Sequence, residues 1–270
     1  MTKINSTVLV LLYFTSFFTV LLTGKMIGYE DFLQTMTKES GFFETLSVVF
    51  FLSISFVGAK TILKTHIEYK LLKFTIITFS IVTFIAALEE ISWGQHLLHF
   101  QSSSFFELHN QQKETNLHNL VDGNIFSSIV YSSVYTLFVF VPLLIQLFHD
   151  KIKILKLIYS FIPSLHIILI ILYASSFQIY FYNDIGVIID FATLGAGLVL
   201  FIATVSIKKL WTKYLILHLI YLLIAMGLFM NVHTIFSFFN MQYEIREMFV
   251  IFATLLYCIE FANKLQNLNR

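Results

Sequence analysis

The sequence predicts an all-α polytopic membrane protein: one bundle of about eight transmembrane helices, with the N-terminus and C-terminus in the cytoplasm. Three observations support this fold class. Of the 270 residues, 57% are hydrophobic and 12% are charged, about half the charged fraction of a typical soluble domain. Mean hydropathy is +0.81. Long apolar segments recur along the whole chain, and lysines gather at alternate connections between them.

Eight apolar segments are candidates for membrane spans. They cover approximately residues 6–24, 42–59, 74–93, 125–148, 157–181, 185–206, 212–230 and 247–263. Each is near or above the ~18–20 residues that a helix needs to cross the hydrocarbon core. Backbone groups in lipid must be bonded within their own segment, so we expect helices and not strands. The first segment is long for a signal peptide and lacks a small-residue cleavage site, which predicts a retained span.

The basic residues orient the bundle. With a cytoplasmic N-terminus, 13 of the 17 lysines and arginines lie at cytoplasmic ends of the spans. These are Lys3, Lys60, Lys64, Lys70, Lys73, Lys151, Lys153, Lys156, Lys208, Lys209, Lys213, Lys264 and Arg270. This asymmetry is what the positive-inside rule expects of a protein in the cell (inner) membrane.

Composition also limits the classes of partner and cofactor. The net charge of +1 gives no electrostatic reason to expect nucleic acid, so membrane lipids are the expected partners. A single cysteine, Cys258, excludes an intramolecular disulfide and a cysteine-rich metal site. The oligomeric state stays open.

The whole chain, 1–270, is predicted to be one transmembrane domain organised around residues 89–122. Within it, 94–124 forms a polar extracytoplasmic or re-entrant loop. Apolar residues are interleaved with the polar ones, so we expect part of this loop to lie in the membrane interface. They are Trp93, Leu97, Leu98, Phe100, Phe105, Phe106 and Leu108.

Acidic residues are concentrated at the outer side, where 13 of the 16 lie. Glu44 begins the second predicted span, Glu89 and Glu90 end the third, and Glu247 opens the last. Because these carboxylates share one membrane depth, we predict a converging acidic pocket and take all four as candidate catalytic groups. Glu244 shares a helix face with Glu247. The alternative is interfacial solvation, with Glu44 and Glu247 favoured by helix dipoles.

The loop offers candidate metal ligands. If 111–122 is helical, Glu114, His118 and Asp122 lie on one stripe. Glu and His at this spacing are typical ligands of a divalent metal such as zinc. Neighbouring polar side chains are candidates for binding substrate, namely Trp93, Gln95, Asn110, Gln112, Asn116 and Asn119. The alternative is a solvated loop in which these residues have no special role.

The stretches EEISWGQ and HNQQKETNLHNL resemble the signature of a bacterial multi-pass membrane family. The resemblance implies a helical membrane bundle and no particular reaction. The chain is similar only in general logic to CAAX-type intramembrane proteases and to alkaline-ceramidase-like hydrolases. Gly94 stands where the arginine of the protease EExxxR motif would be, and the late HxxxH pair of the ceramidases is missing.

These observations favour an intramembrane metal-dependent hydrolase or transferase that acts on a lipid or lipid-linked substrate at the outer face. One alternative is a cation- or proton-coupled transporter or channel, with Asp190, His166 and His218 forming a polar path. Another is a non-catalytic membrane component whose outer surface binds a partner.

Overall fold

The computed structural model describes residues 41–110, 112–121, 123–175, 185–208, 210 and 241–268, and this part of the chain contains helices and no strands. Within these described residues, three helices are long and apolar enough to cross a membrane: Phe42–Lys64, Lys70–Glu90 and Ser128–Phe148. A bent pair, Lys153–Phe161 and Leu165–Ala174, would make a fourth. The prediction of a helical, membrane-associated bundle is confirmed. Eight spans and the placement of the termini stay predictions, and segments 6–24 and 212–230 lie outside the described residues.

The first two described helices form an antiparallel pair. Helix α1 is Phe42–Lys64 and helix α2 is Lys70–Glu90. They approach closely at Gly58, where an added Cβ would lie 1.9 Å from the Ser80 Oγ. Because the helices run in opposite directions, Glu44 in the first turn of α1 and Glu90 at the end of α2 lie at the same end of the bundle.

The segment after α2 folds into short helices. A 3-10 turn at Ser92–Gly94 leads into α3, Gln95–Leu98, which is followed by α4, Ser104–His109. A further 3-10 turn spans His118–Leu120. The backbone has positive φ at Ser92, Trp93 and Gly94, so α2 ends three residues before the predicted limit of 93. The described residues between 112 and 121 are not one helix, so the stripe expected for Glu114 and His118 does not form.

The next span is continuous but not uniform. It comprises α5, Gly123–Tyr135, a π-helical turn at Thr136–Phe140, and α6, Val141–Phe148. Pro142 lies in the first turn of α6 and has no backbone N–H to donate. The wider π turn before it accommodates the proline without ending the span.

The prediction of one helix over 157–181 is wrong for its described part. Helix α7, Lys153–Ile158, continues through a 3-10 turn at Tyr159–Phe161, and α8, Leu165–Ala174, leaves at 76° to it. Pro163 is the physical reason, because a proline forces the preceding residue out of the helical region. Ile162 accordingly has ψ 154°.

The last described helix, α10, Met241–Leu268, bonds the backbone at this break. The Tyr257 hydroxyl donates to the Phe161 carbonyl at 2.9 Å, and the Lys264 Nζ donates to the Ile162 carbonyl at 3.1 Å. The Glu260 carboxylate, 2.7 Å from Lys264, accepts from the Ser164 N–H at 3.4 Å. The Glu260–Lys264 pair therefore has a structural role in supporting a broken helix.

Helix α8 forms the centre of the core. Its residues from Ile167 to Ala174 are buried, and it packs against α10 and against α9, Ile185–Ile207. Helix α10 also packs along α1. This packing places the start of α10, with Glu244 and Glu247, at the same end of the bundle as Glu44 and Glu90.

Candidate functional site

Two adjoining groups of polar residues occupy this end of the bundle. We call the first the loop network, made of Ser92, Gln95, His96, Ser102, Asn110, Glu114 and Asn116. We call the second the carboxylate cluster, made of Glu44, Glu90, Glu244 and Glu247. Glu89 and His118 lie between the two.

Glu114 is the centre of the loop network and is only 7% exposed. Its Oε1 lies 2.7 Å from the His96 Nε2. Its Oε2 accepts hydrogen bonds from the Asn116 Nδ2 at 3.1 Å and from the Ser92 Oγ. Both carboxylate oxygens therefore have hydrogen-bond partners within the loop and the turn that follows α2. These bonds explain how a carboxylate is accommodated in a buried position.

Two amides close the loop around Glu114. The Asn110 Nδ2 donates to the Asn116 carbonyl at 2.9 Å and to its Oδ1 at 2.8 Å. The Asn110 Oδ1 accepts from the backbone N–H of Gln112 at 2.9 Å and of Glu114 at 3.2 Å. Across the loop, the Gln95 Oε1 accepts from the Thr115 N–H at 2.7 Å. Gln95, Asn110 and Asn116, predicted to bind substrate, thus bond the loop itself.

The other candidates for substrate binding are more accessible. The Asn119 Nδ2 donates to the Gln112 side-chain oxygen at the exposed edge of the loop. The Trp93 Nε1 donates to the Glu89 Oε1 at 2.6 Å. The role of these three residues in substrate binding stays a prediction.

Glu89 ties the loop to α2. Its Oε2 accepts from the N–H of Leu117 at 2.6 Å and of His118 at 3.3 Å. The same oxygen lies 3.6 Å from the His118 Nδ1. These contacts favour a positioning role for Glu89, because both of its oxygens already accept hydrogen bonds.

The carboxylate cluster brings together acids from three helices. The charge of Glu90 interacts with those of Glu247, Glu244, Glu44 and Glu89. Glu247 in turn faces two possible cations, His118 from the loop and Arg246 from its own helix. Of the four predicted catalytic carboxylates, Glu44, Glu90 and Glu247 share this cluster. Glu244, predicted only to share a face with Glu247, also belongs to it.

Burial and neighbouring charges favour a proton on this cluster. Glu244 precedes the predicted span 247–263. Burial, and then the negative charges of Glu247 and Glu44, raise the pKa of Glu244 to about 8. Near neutral pH this carboxyl group therefore keeps a proton that an ordinary glutamate would have lost.

Arg246 is a part of the site that the sequence analysis did not single out. It is 3% exposed, and its guanidinium carbon lies 3.8 Å from the centre of the Tyr131 ring. Its charge also interacts with the Glu247 carboxylate. The available signal was the isolated arginine in the segment EIRE, at a face otherwise rich in acids.

The predicted metal ligands Glu114 and His118 have different hydrogen-bond partners, and their role as ligands stays a prediction. Glu114 bonds Ser92, His96 and Asn116, whereas His118 lies beside Glu89. Asp122 lies outside the described residues. Among the residues that the structure describes, no group of three or more His, Cys, Asp or Glu is arranged to hold a metal ion.

The structure describes only part of the predicted transmembrane polar path. His166 lies in the first turn of α8 and is half-buried. Asp190 belongs to α9, and its side chain and the whole of His218 lie outside the described part of the chain.

Fold and site together define a helical membrane-associated protein with a carboxylate-rich polar site at one end of its bundle. Comparison with known protein families, characterised proteins and solved structures gives no match. The resemblance to a bacterial multi-pass family therefore stays a prediction.

Proposed function

We propose that this protein is a membrane enzyme, a hydrolase or transferase, that acts on a lipid or lipid-linked substrate. The observation that carries the proposal is the interaction of Glu90 with Glu44, Glu244 and Glu247, beside His118 and Arg246. A carboxyl group that holds a proton near neutral pH, as Glu244 does, next to a carboxylate beside Arg246, provides both an acid and a base.

The proposed topology has eight spans with both termini in the cytoplasm, which places the carboxylate cluster on the extracytoplasmic face. The lysine distribution supports it. Lys60 and Lys64 lie toward the end of α1 that is opposite to Glu44, and Lys70 begins α2 at the end opposite to Glu90. The site would then lie at the depth of the outer head groups.

We assign the base role to Glu247 and the acid role to Glu244. Glu247 lies beside Arg246, a permanent cation that can stabilise a carboxylate, and Glu244 holds a proton near neutral pH. In hydrolysis, Glu247 would take a proton from water as the water oxygen bonds to the carbonyl or phosphoryl centre. Glu244 would give its proton to the leaving oxygen as that bond breaks. In a transferase, an acceptor hydroxyl would replace the water.

The proposal assigns no step to a metal. Zinc or another divalent ion, predicted from Glu114 and His118, would have to displace the hydrogen bonds that Ser92, His96 and Asn116 make to Glu114. Hard oxygen and imidazole donors, which suit such ions, are nevertheless present.

The two alternative functions have less support. A transport path would need polar side chains through the bundle, but α8 is buried from Ile167 to Ala174 and carries only aliphatic residues and Tyr173 there. A surface that binds a partner would direct its polar side chains outward. Glu114, Asn110 and Asn116 are instead buried against one another.

A lipid-turnover experiment tests the proposal. Purified protein would be reconstituted in vesicles made from the lipids of its expression host, and the lipids would be followed by mass spectrometry. We expect at least one lipid to be consumed, and Glu247→Gln to slow this by about 100-fold or more, as loss of a general base does.

Glu68→Gln is the matched control, because Glu68 is exposed in the connection between α1 and α2, at the opposite end from the cluster. It should turn over lipid like the wild type. Equal turnover in Glu247→Gln would contradict the assignment of the base. Ion flux across the vesicle membrane without lipid turnover would favour the transporter instead.

A further inference from the structure

The segment 93–109 carries apolar side chains on its outside. Leu97, Leu98 and Leu108 are 73%, 74% and 79% exposed. They lie on the two short helices α3 and α4. Three aromatic residues of the same segment, Trp93, Phe100 and Phe105, are also exposed. The segment thus presents a continuous set of large apolar side chains away from the bundle.

Several polar side chains next to this segment are buried or bonded within the loop. Ser92, Asn110 and Asn116 are buried. The Ser102 hydroxyl donates to the Lys113 carbonyl at 2.7 Å and to the Gln95 Oε1 at 3.1 Å. Water would favour the reverse arrangement, with leucines inside and amides outside. The segment also exposes polar side chains, among them His99, Gln101 and Glu107, so its surface is amphipathic, as expected of a segment at the boundary between head groups and acyl chains.

Two features favour lipid over water as the surrounding medium. The segment begins three residues after α2, a candidate span whose Val82, Phe84 and Ile85 are themselves exposed. From residue 91 to residue 109, Glu107 is the only Asp, Glu, Lys or Arg. Trp93, which follows the end of α2, is of the type that favours a membrane interface.

We propose that residues 93–109 insert their exposed leucines and aromatics into the membrane leaflet nearest the carboxylate cluster, at the boundary between head groups and acyl chains. The loop network then lies on the protein side of this segment, screened from lipid by α3 and α4. This membrane contact goes beyond the proposed function, since it does not require any particular reaction at the carboxylate cluster.

Fluorescence of Trp93 tests the insertion. The sequence has two tryptophans, so Trp211→Phe leaves Trp93 as the only one. The variant would be reconstituted in vesicles whose lipids are brominated on the upper part of the acyl chains. We expect bromolipid to quench at least about half of the emission, and aqueous acrylamide to quench little, as for an interfacial segment.

Three replacements with serine, at Leu97, Leu98 and Leu108, should weaken bromolipid quenching and strengthen quenching by acrylamide. Glu107→Gln on the same segment is the matched control and should leave both unchanged. Helical circular dichroism would establish that each variant is folded.

Other occupants of the apolar surface would give different results. Strong quenching by acrylamide alone in the folded protein would overturn the proposal in favour of exposure to water. Weak quenching by both agents would overturn it in favour of a cover made by protein. Dependence of that protection on the protein-to-lipid ratio would then identify the cover as a second copy of the chain.

Discussion

The guanidinium carbon of Arg246 lies 3.8 Å from the centre of the Tyr131 ring and joins α10 to α5 at the end of the bundle that holds the carboxylate cluster. The arginine is almost completely buried, and its charge faces Glu247. A buried cation is costly unless it is paired, so the ring and the carboxylate together explain how Arg246 is accommodated.

Removal of Arg246 should destabilise the bundle. We expect Arg246→Met to lower the free energy of unfolding by about 3 kcal/mol, because buried carboxylates lose their cation. Tyr131→Leu should lower the free energy of unfolding by about 2 kcal/mol. Tyr131→Phe should lower it less, because phenylalanine keeps the aromatic ring. Unfolding in detergent would be measured for the single and double variants, with exposed Lys156→Met as the control. Strictly additive effects of Arg246→Met and Tyr131→Leu would contradict a direct interaction.

Gly58 should be sensitive to a single methyl group. Its added Cβ would lie 1.9 Å from the Ser80 Oγ and 3.2 Å from the Ser80 Cβ, so the hydroxyl would have to leave its Ile76 acceptor and the two helices would have to move slightly apart. We expect Gly58→Ala to cost about 2 kcal/mol of unfolding free energy, as overpacking does. Adding Ser80→Ala should restore most of it, because the clashing oxygen is removed.

Gly195→Ala is the matched control, since nothing lies within 4 Å of the added Cβ. That change should be neutral or stabilise by up to about 1 kcal/mol, because alanine favours a helix. Equal destabilisation by Gly58→Ala and Gly195→Ala would show that α1 and α2 do not pack as described.

Glu114 should act as the anchor of the loop network. We expect Glu114→Ala to lower the free energy of unfolding by about 2 kcal/mol, because Ser92 and Asn116 lose a buried acceptor. Glu107→Gln, on the exposed side of α4, should change it little. Hydrogen exchange would show faster exchange at residues 110–121 in Glu114→Ala. Unchanged protection of this loop would contradict the anchoring role.

The same residue tests the metal prediction. The purified protein would be analysed for zinc and other divalent metals, alone and as Glu114→Gln and His118→Ala. Because Glu114 and His118 bond different partners, we expect any bound metal to be present in equal amount in the wild type and both variants. Stoichiometric metal that is lost from both variants would instead support the predicted ligand set.

Much of the membrane architecture follows from the order of apolar segments. The limits of α1 and α2 were close to prediction because each has an acid near one end and lysines near the other. The grouping of Glu44, Glu90 and Glu247 follows from the same order, since antiparallel spans bring alternate connections to one face.

The remaining features depend on contacts that local patterns do not encode. No propensity predicts positive φ at Ser92 and Trp93, and the turn they form is what brings Glu114 to Ser92 across 22 positions of the chain. The break in 157–181 had an available signal in Pro163, which the apolar composition of the segment outweighed. The role of Arg246 could not be predicted from its own segment, because it depends on the position of Tyr131 on another helix.

The raised pKa of Glu244 predicts a pH dependence of stability. An ordinary value of 4.5 in the unfolded chain rises to about 8 in the folded protein. The folded state therefore binds the proton more tightly, and this contribution to stability is present below pH 4.5 and is lost as the pH rises to about 8. Glu244→Gln should accordingly gain stability relative to the wild type over that range. A difference that is constant with pH would contradict the shift.

The most direct test of the carboxylate cluster is an infrared titration of Glu244 itself. Protein labelled with ¹³C-glutamate would be reconstituted in nanodiscs, and the carboxyl band missing from Glu244→Gln would be followed against pH. We predict half-protonation at about 8 in the wild type, and at a lower pH in Glu247→Gln, because one neighbouring negative charge is removed. Titration near 4.5 in both proteins would show that Glu244 is an ordinary exposed carboxylate and would contradict its place in the carboxylate cluster.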